Sequence, residues 1–153
     1  AAMAAGRMAP PEIIRIGAGP RRPRCSVVVP LYRNLRFLRF QIASFACDAS
    51  LRGDAEIVYV LDSPEQRGQV EHLLRGLAAV HGLGFVLVVL PENRGYAGAC
   101  NAGVEACRAP VLLMLNSDVV PTVPGWLDGL LRRLARDRRL AAVGPKLIFD
   151  DGS

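Results

Sequence analysis

The sequence has few cysteines and aromatic residues and contains no long hydrophobic run. No stretch approaches the roughly 18 apolar residues that a membrane-spanning helix needs, and the N-terminal segment lacks the apolar core of a secretory signal. The four cysteines show neither CxxC nor Cys/His ligand spacing. This pattern excludes a zinc ribbon and a disulfide framework, and it predicts free, buried thiols in a reducing compartment.

Positive charge is concentrated at the N-terminus. The net charge is +5, but residues 1–24 carry five arginines against one glutamate, whereas residues 25–153 are nearly neutral. Because a nucleic-acid-binding domain carries its positive charge on the folded part, we expect no nucleic-acid partner. The Arg, Pro, Ala and Gly content of residues 1–24 predicts a flexible basic leader, and residues 25–153 are long enough to form one folded domain.

Strand and helix patterns alternate after residue 24. Apolar, largely β-branched runs predict strands at 25–30, 56–61, 85–90, 111–115 and 141–149. Apolar residues at helical spacing predict helices near 35–45, 70–81, 97–107 and 127–134. This alternation, with a hydrophobic content of 51%, is typical of an α/β fold with a mostly parallel sheet flanked by helices.

Polar side chains follow several of the predicted strands. They lie in the segments 30–32, 62–63, 91–95 and 116–118. The carboxyl ends of parallel strands meet at one edge of a sheet, where ligands bind in open α/β folds, so we expect a binding site there. Asp62 could accept hydrogen bonds from a base or a ribose, and Arg94 could donate to a ligand or stack on it. Alternatively, Asp62 caps the helix beyond Pro64 and Arg94 is a solvated loop cation.

The predicted strand at 111–115 ends in Asn116, Ser117 and Asp118. Its apolar run predicts a strand that is buried on both faces and that delivers Asp118 to the edge of the sheet. A carboxylate there can hold a divalent cation against a substrate phosphate. The alternative is that Asn116 and Asp118 only open a turn and cap the helix after Pro121.

Small residues dominate the segment 95–103, where a helix is predicted to begin. They allow close packing against the sheet, and the free N–H groups of a helix start favour a diphosphate. Neither GxGxxG after the first strand nor GxxxxGK[ST] occurs, which excludes the dinucleotide-binding and P-loop patterns. Asn101 in this helix is either a ligand contact or a buried amide that ties the helix to a loop.

Five motifs in order resemble a family 2 glycosyltransferase, especially its rhamnosyltransferase-like members. They are VVVPLYRN at 27–34, LDS at 61–63, NRGYAGACNAG at 93–103, LNSD at 115–118, and VGPKL at 143–147 followed by DGS at 151–153. The resemblance covers residues 25–153. It implies a GT-A fold and inverting transfer of a sugar from a nucleotide-diphosphate sugar to an acceptor hydroxyl, in the synthesis of cell-surface polysaccharides or glycans.

The resemblance also assigns roles to individual residues. It places Asp62 at the base, Pro30 and Tyr32 beside the nucleotide, Asn93 and Arg94 in a nucleotide-contacting loop, and Asp118 at the metal. Gly95, Asn101, Asn116 and Ser117 complete the predicted nucleotide site. Asn116 stands where the DxD motif of the family has its first acid. One carboxylate then remains for Mn²⁺ or Mg²⁺, which can take its other ligands from water and phosphate.

The general base that the resemblance implies is an Asp or Glu of the family's second half, which we expect beyond Ser153. Residues 25–153 would then be the nucleotide-sugar-binding portion of the domain. The resemblance favours a UDP- or dTDP-linked donor and a glycan or lipid-linked acceptor. Donor supply favours a cytoplasmic location, at the inner face of the membrane if segments outside this chain attach it.

Two other functions stay open at this point. A catalytically inactive nucleotide-binding or protein-association module would expose an apolar patch where its partner docks. A nucleotidyltransferase usually has a Gly-rich loop after its first strand, and residues 30–34 contain no glycine.

Overall fold

The computed structural model describes residues 9–145, which form a five-stranded sheet with helices on both faces. The strands are β1 (Glu12–Ile16), β2 (Cys25–Leu31), β3 (Ala55–Leu61), β4 (Phe85–Val89) and β5 (Val111–Met114). The helices are α1 (Leu38–Ala46), α2 (Ala49–Asp54), α3 (Arg67–His81), α4 (Gly95–Ala106) and α5 (Trp126–Arg136), with a short 3-10 helix at Pro64–Gln66. Strands β2 to β5 are parallel, which confirms the predicted fold class.

The order of the strands, β1-β4-β3-β2-β5, places a reversal of direction at β2. The chain first adds β3 and β4 on one side of β2 and later adds β5 on its other side. In open α/β sheets such a reversal leaves a crevice outside the carboxyl ends of the strands, and ligands bind in that crevice.

Two hydrophobic cores hold the helices against the sheet. One core joins a face of the sheet to α1, α2, α3 and α5, and the other joins the opposite face to α4. Gly103 lets α4 approach closely, because a Cβ atom there would lie 2.5 Å from Cγ1 of Val28 and 2.7 Å from Cγ2 of Val60. The predicted small-residue contact between helix and sheet is therefore confirmed.

Part of the predicted flexible leader belongs to the sheet. Glu12–Ile16 forms β1, which pairs antiparallel with Phe85–Val89, and Ile16 is buried in the core. The Glu12 carboxylate also pairs with Arg67 at 2.7 Å. The prediction of a flexible leader is wrong for residues 12–16, because the surrounding Arg, Pro and Gly residues hid a short apolar strand pattern.

Strand β5 is not buried on both faces, contrary to the prediction. Within residues 9–145 it pairs with β2 alone, so it lies at the edge of the described sheet. Val111 and Leu113 pack on the core that contains α5, whereas Leu112 and Met114, on the face toward α4, are each 43% exposed. An apolar run alone does not distinguish a central strand from an edge strand.

The cysteines and the last predicted strand also differ from expectation. All four cysteines are free, but Cys25 alone is fully buried and Cys47 is exposed at the end of α1. Burial, together with the nearby Cys107, raises the pKa of Cys25 to about 11. Residues 141–145 are not in a strand, and the rest of the strand predicted at 141–149 lies outside the described residues, as do the motif residues from 146 onward. No helix within 9–145 is both long and apolar enough to cross a bilayer.

Candidate functional site

A cavity of about 480 Å³ opens at the carboxyl edge of the sheet. It is lined by the end of β2 and the loop that follows it, by the loops after β3, β4 and β5, and by the first two turns of α4. Its lining residues are Pro30, Leu31, Tyr32, Asn34, Asp62, Asn93, Gly95, Tyr96, Ala99, Asn116, Ser117 and Asp118. Eight of the ten residues predicted for the site line this cavity, and Arg94 and Asn101 do not.

Asp62 is a buried carboxylate directly after β3, with 3% of its surface exposed. Its N–H donates to the Leu31 carbonyl at 2.9 Å, which continues the parallel pairing past the end of the strand. Its Oδ1 accepts the N–H of Arg94 at 2.6 Å. The short helix at Pro64–Gln66 has no side-chain cap, so Asp62 is not the N-cap of the alternative reading. A carboxylate with one backbone donor keeps acceptor capacity for a ligand.

The loop before α4 is shaped by the side chain of Asn93. Its Nδ2 donates to the Asp62 carbonyl at 3.3 Å, and its Oδ1 accepts the N–H of Gly95 at 3.2 Å. Gly95 has a φ of +70°, a left-handed conformation that glycine adopts without strain. The start of α4 is thereby fixed against the end of β3, with its first turn at the cavity.

Arg94 and Asn101 lie outside the cavity. The guanidinium of Arg94 donates from Nη2 to the Ala9 carbonyl at 2.7 Å and is partly buried, so it is not a freely solvated cation. Asn101 is exposed, which excludes the buried amide of the alternative reading. It lies six residues after Gly95, about 9 Å further along the helix axis.

Asn116, Ser117 and Asp118 form a turn after β5. The N–H of Leu115 donates to the Val28 carbonyl at 3.0 Å in the last contact with β2, and the N–H of Val119 donates to the Asn116 carbonyl at 3.2 Å. The alternative reading is therefore right about the turn. It is wrong about the cap, because the N-cap of α5 is Gly125.

Asp118 presents an exposed carboxylate to the cavity. Within residues 9–145 it has no hydrogen bond or ion pair with another side chain, and no group of three or more His, Cys, Asp or Glu residues there could hold a metal by itself. Asp62, the other carboxylate of the cavity, is buried and bonded. A cation here would take Asp118 as its protein carboxylate and complete its shell with water and phosphate oxygens, which suits Mg²⁺ or Mn²⁺.

Four lining residues were absent from the predicted site: Leu31, Asn34, Tyr96 and Ala99. Tyr96 is the most informative, because its hydroxyl donates to Oδ1 of Asn116 at 3.1 Å and so joins α4 to the turn after β5. Partial desolvation and the neighbouring Cys100 raise the pKa of Tyr96. Tyr96 directly follows Gly95 in the first turn of a helix that faces the site, and this position could have identified it as a site residue from the sequence.

The loop after β2 contains the one non-glycine residue with positive φ among the described residues, Arg33 at +57°. Its N–H donates to Ser63 Oγ at 3.2 Å, and its carbonyl accepts from Gln66 Nε2 at 3.1 Å. Such a conformation costs roughly 1–2 kcal/mol for a non-glycine residue. The two hydrogen bonds hold it, and the resulting loop presents Tyr32 and Asn34 to the cavity.

Residues 26–153 match the model of a family described as Glycosyl transferase family 2. The pre-mycofactocin glycosyltransferase of Mycobacterium tuberculosis (strain ATCC 25618 / H37Rv) is 28% identical over 131 residues, covering 86% of this chain and 25% of that enzyme. Across the curated relatives that it matches, the chain spans 14% to 27% of their length.

Several solved structures share the fold. The mannosyltransferase PcManGT from Pyrobaculum calidifontis, in complex with GDP-Man and Mn²⁺, has a TM-score of 0.65 at 24% identity and covers 78% of this chain and 35% of its own. TarS 1-349 of S. aureus, in complex with UDP-GlcNAc, has a TM-score of 0.61 at 20% identity, with 74% of this chain and 31% of its own covered. At these identities the likeness concerns the fold alone.

Proposed function

The chain belongs to glycosyl transferase family 2 and has a GT-A fold, and from this premise we propose that its 480 Å³ cavity binds the nucleoside diphosphate of a nucleotide-sugar donor. The observation that carries the proposal is the convergence of Asp62, the first turn of α4 and the turn at 116–118 on one crevice. A base, a diphosphate and a cation each find suitable chemistry there.

The proposed arrangement follows from the groups that line the cavity. Asp62, at the buried end, would accept from a base imide or a ribose hydroxyl. Tyr32 offers an exposed ring beside it. The first turn of α4 directs free N–H groups and a partial positive charge at the diphosphate. Among the predicted residues, Arg94 contributes its backbone N–H to Asp62 rather than its guanidinium to the ligand.

Asp118 would supply the protein carboxylate for a divalent cation, with Asn116 held beside it by Tyr96. When bound, Mn²⁺ or Mg²⁺ would neutralise the charge that develops on the leaving diphosphate. The neighbour PcManGT, whose structure contains Mn²⁺ and GDP-Man, supports a metal-assisted site. A single carboxylate is a weak ligand set for a cation. The nucleotide should therefore bind more tightly when the cation is present, and the cation more tightly when the nucleotide is present.

The rest of the activity is proposed from family membership. We propose inverting transfer of a hexose-type sugar to a glycan or lipid-linked acceptor, in the cytoplasm, as a step in polysaccharide or glycan synthesis. We further propose that residues 25–153 contribute donor binding to this activity, and the identity of the general base stays a prediction. The two structural neighbours carry different nucleotides, GDP-Man and UDP-GlcNAc, so the base is best identified by measurement.

The decisive experiment is calorimetric titration of UDP, dTDP and GDP, each with and without Mn²⁺, into the chain and its Asp118→Asn variant. We expect one nucleotide to bind at least tenfold more tightly with Mn²⁺, and we expect Asp118→Asn to remove that gain. A tenfold change in affinity corresponds to about 1.4 kcal/mol of binding free energy.

Asp128→Asn is the matched control, because it removes a carboxylate that pairs with Arg132 on α5 rather than facing the cavity. It should leave both affinities unchanged. Failure of the folded wild-type chain to bind any of the three nucleotides in the presence of Mn²⁺ would overturn the proposal.

A second candidate is a protein-association module, and the exposed face of β5 is the observation that favours it. Leu112 and Met114 are both 43% exposed on adjacent outward positions of one strand, and exposed apolar patches often mark interaction sites. Under this reading a Leu112→Ser, Met114→Ser double variant would abolish partner binding, whereas Asp118→Asn would change no binding measurement.

A further inference from the structure

The backbone of the turn that carries Asp118 is hydrogen-bonded to one buried amide, that of Gln41 on α1, which does not line the cavity. Gln41 has 0% of its surface exposed. Its Nε2 donates to the Asn116 carbonyl at 3.0 Å and to the Val119 carbonyl at 2.8 Å. These two carbonyls bracket Ser117 and Asp118, so a single NH₂ group joins both ends of the turn.

The orientation of this amide is fixed by a second buried side chain. The hydroxyl of Tyr59, in the central strand β3, donates to Gln41 Oε1 at 3.1 Å. Burial raises the pKa of Tyr59 well above its ordinary value, so the hydroxyl is a permanent donor. Because the oxygen of the amide is engaged by Tyr59, its two N–H donors necessarily face the turn.

Gln41 belongs to a polar stripe on α1 and its C-terminal end, formed by Gln41, Ser44 and Asp48. These residues are three and four positions apart, the spacing of one helix face. Ser44 Oγ donates to the Pro121 carbonyl, and Asp48 Oδ2 accepts the Gly125 N–H at 2.8 Å. The segment between β5 and α5 has no helix or strand of its own, and the stripe supplies partners to its backbone. Of these three residues, only Gln41 forms hydrogen bonds to the turn that contains Asp118.

We propose that Gln41 is a positioning residue that sets the geometry of the Asn116–Val119 turn and thereby aims the Asp118 carboxylate at the cation. This inference rests on the proposed role of Asp118 as the metal ligand. Groups that orient a metal ligand without touching the metal are worth about 10- to 100-fold in metal affinity when they are removed. The amide acts on the backbone of the turn, so its loss should loosen the carboxylate without altering the surface that contacts the base.

The test is the Gln41→Met variant, which keeps the length of the side chain and removes both donors. Titrations of UDP, dTDP and GDP with and without Mn²⁺ give two numbers for each variant: the affinity without metal and the factor by which Mn²⁺ increases it, called the gain. In Gln41→Met we expect the gain to fall about tenfold, with the metal-free affinity within twofold of wild type. A purely structural role would lower thermal stability and leave the gain intact.

Ser44→Ala is the matched control, since it removes a hydrogen bond from the same helix face to the same segment, three residues beyond Asp118. It should lower the melting temperature without changing the Mn²⁺ gain. Tyr59→Phe removes only the hydroxyl that orients the amide, and we expect a smaller loss of the gain, by about threefold. If Gln41→Met does not fold, Tyr59→Phe tests the positioning role of Gln41 in its place.

The outcomes separate this inference from the proposed function. If wild type shows no Mn²⁺ gain, or Asp118→Asn leaves that gain in place, the proposed function fails and takes this inference with it. If Asp118→Asn abolishes the gain while Gln41→Met and Tyr59→Phe retain it in full, the site stands and the positioning role of Gln41 is refuted.

Discussion

Strand β3 has a buried carboxylate at each end, and the two have very different surroundings. Glu56 at the amino end and Asp62 after the carboxyl end are both 3% exposed. Glu56 accepts from Ser26 Oγ at 2.9 Å and from the Arg108 N–H at 3.0 Å, forms an ion pair with the Arg108 guanidinium, and lies 3.7 Å from Arg15. Asp62 accepts one backbone N–H and, within residues 9–145, has no cationic partner.

The difference separates a structural carboxylate from one that is suited to a ligand. Charge that is buried without a partner is expensive, and Glu56 avoids that cost by tying together β1, β2 and the segment before β5. Asp62 leaves acceptor capacity directed at a cavity of about 480 Å³. Equal burial therefore does not indicate equal function. The hydrogen-bond partners of the carboxylate oxygens show whether a buried carboxylate is structural or suited to a ligand.

The largest expected effect on stability is that of Glu56→Ala. This change leaves Arg108, Arg15 and Ser26 without their shared acceptor, but both arginines are about half exposed and can be resolvated. We therefore expect a loss of about 2–3 kcal/mol in the free energy of unfolding. Urea denaturation measures it, and nucleotide affinity at a temperature where the variant is folded should equal that of wild type.

Glu105→Ala provides the reference for Glu56→Ala. Glu105 is exposed on α4, and its removal should change stability by less than about 0.5 kcal/mol. Equal losses of stability in the two variants would show that the hydrogen bonds and ion pairs of Glu56 do not stabilise the fold. Glu56 would then not be a structural carboxylate that contrasts with Asp62.

Asp62→Asn should produce the opposite pattern. Asparagine keeps an oxygen for the Arg94 N–H but removes the charge and one acceptor, so we expect nucleotide affinity to fall about tenfold while stability changes by less than about 1 kcal/mol. Asp54→Asn, which lies just before the start of β3 and pairs with Arg24 at 3.2 Å, should leave the affinity unchanged. If Asp62→Asn lowers the free energy of unfolding by more than it weakens the free energy of nucleotide binding, Asp62 is a structural carboxylate like Glu56.

Of these two carboxylates, only Asp62 could be predicted from the sequence. Asp62 follows a predicted strand, and the motif order around it resembles a known family, so its place at the carboxyl edge could be predicted. Glu56 begins the same strand and carried no such signal. Its function depends on Arg108 and Arg15, which are 52 and 41 positions away in the sequence, and a pairing of this kind becomes visible only when the strands are assembled.

The same limit explains the other differences between sequence and structure. The exposure of Leu112 and Met114 depends on the position of β5 at the edge of the described sheet, and β1 is recognised as a strand because it pairs with β4. Gln41 reads in the sequence as an ordinary polar residue among the apolar positions of α1. Its role follows from the two carbonyls that it meets about 75 residues later.

The smallest expected effect concerns Asp48, a third buried carboxylate, which extends the comparison because backbone donors rather than cations surround it. It caps α2 through the N–H groups of Ser50 and Leu51 and also accepts the N–H of Gly125. Burial acts to raise the pKa of Asp48, but these donors together with the Ser50 hydroxyl outweigh burial, so its pKa lies below the ordinary value of 3.8.

A carboxyl whose pKa is lowered by folding stabilises the protein above the pKa of the unfolded chain and loses that contribution as the pH falls through the folded value. Asp48→Asn should therefore be less stable than wild type by about 1 kcal/mol at pH 7, and this difference should shrink as the pH falls below about 4. Urea denaturation at pH 7, 5 and 3 measures it. Nucleotide affinity at pH 7 should be unchanged, since Asp48, like Glu56, has its oxygens occupied by the protein itself. A difference that stays constant down to pH 3 would mean that the charge of Asp48 contributes nothing and that its cap works equally well as a neutral amide.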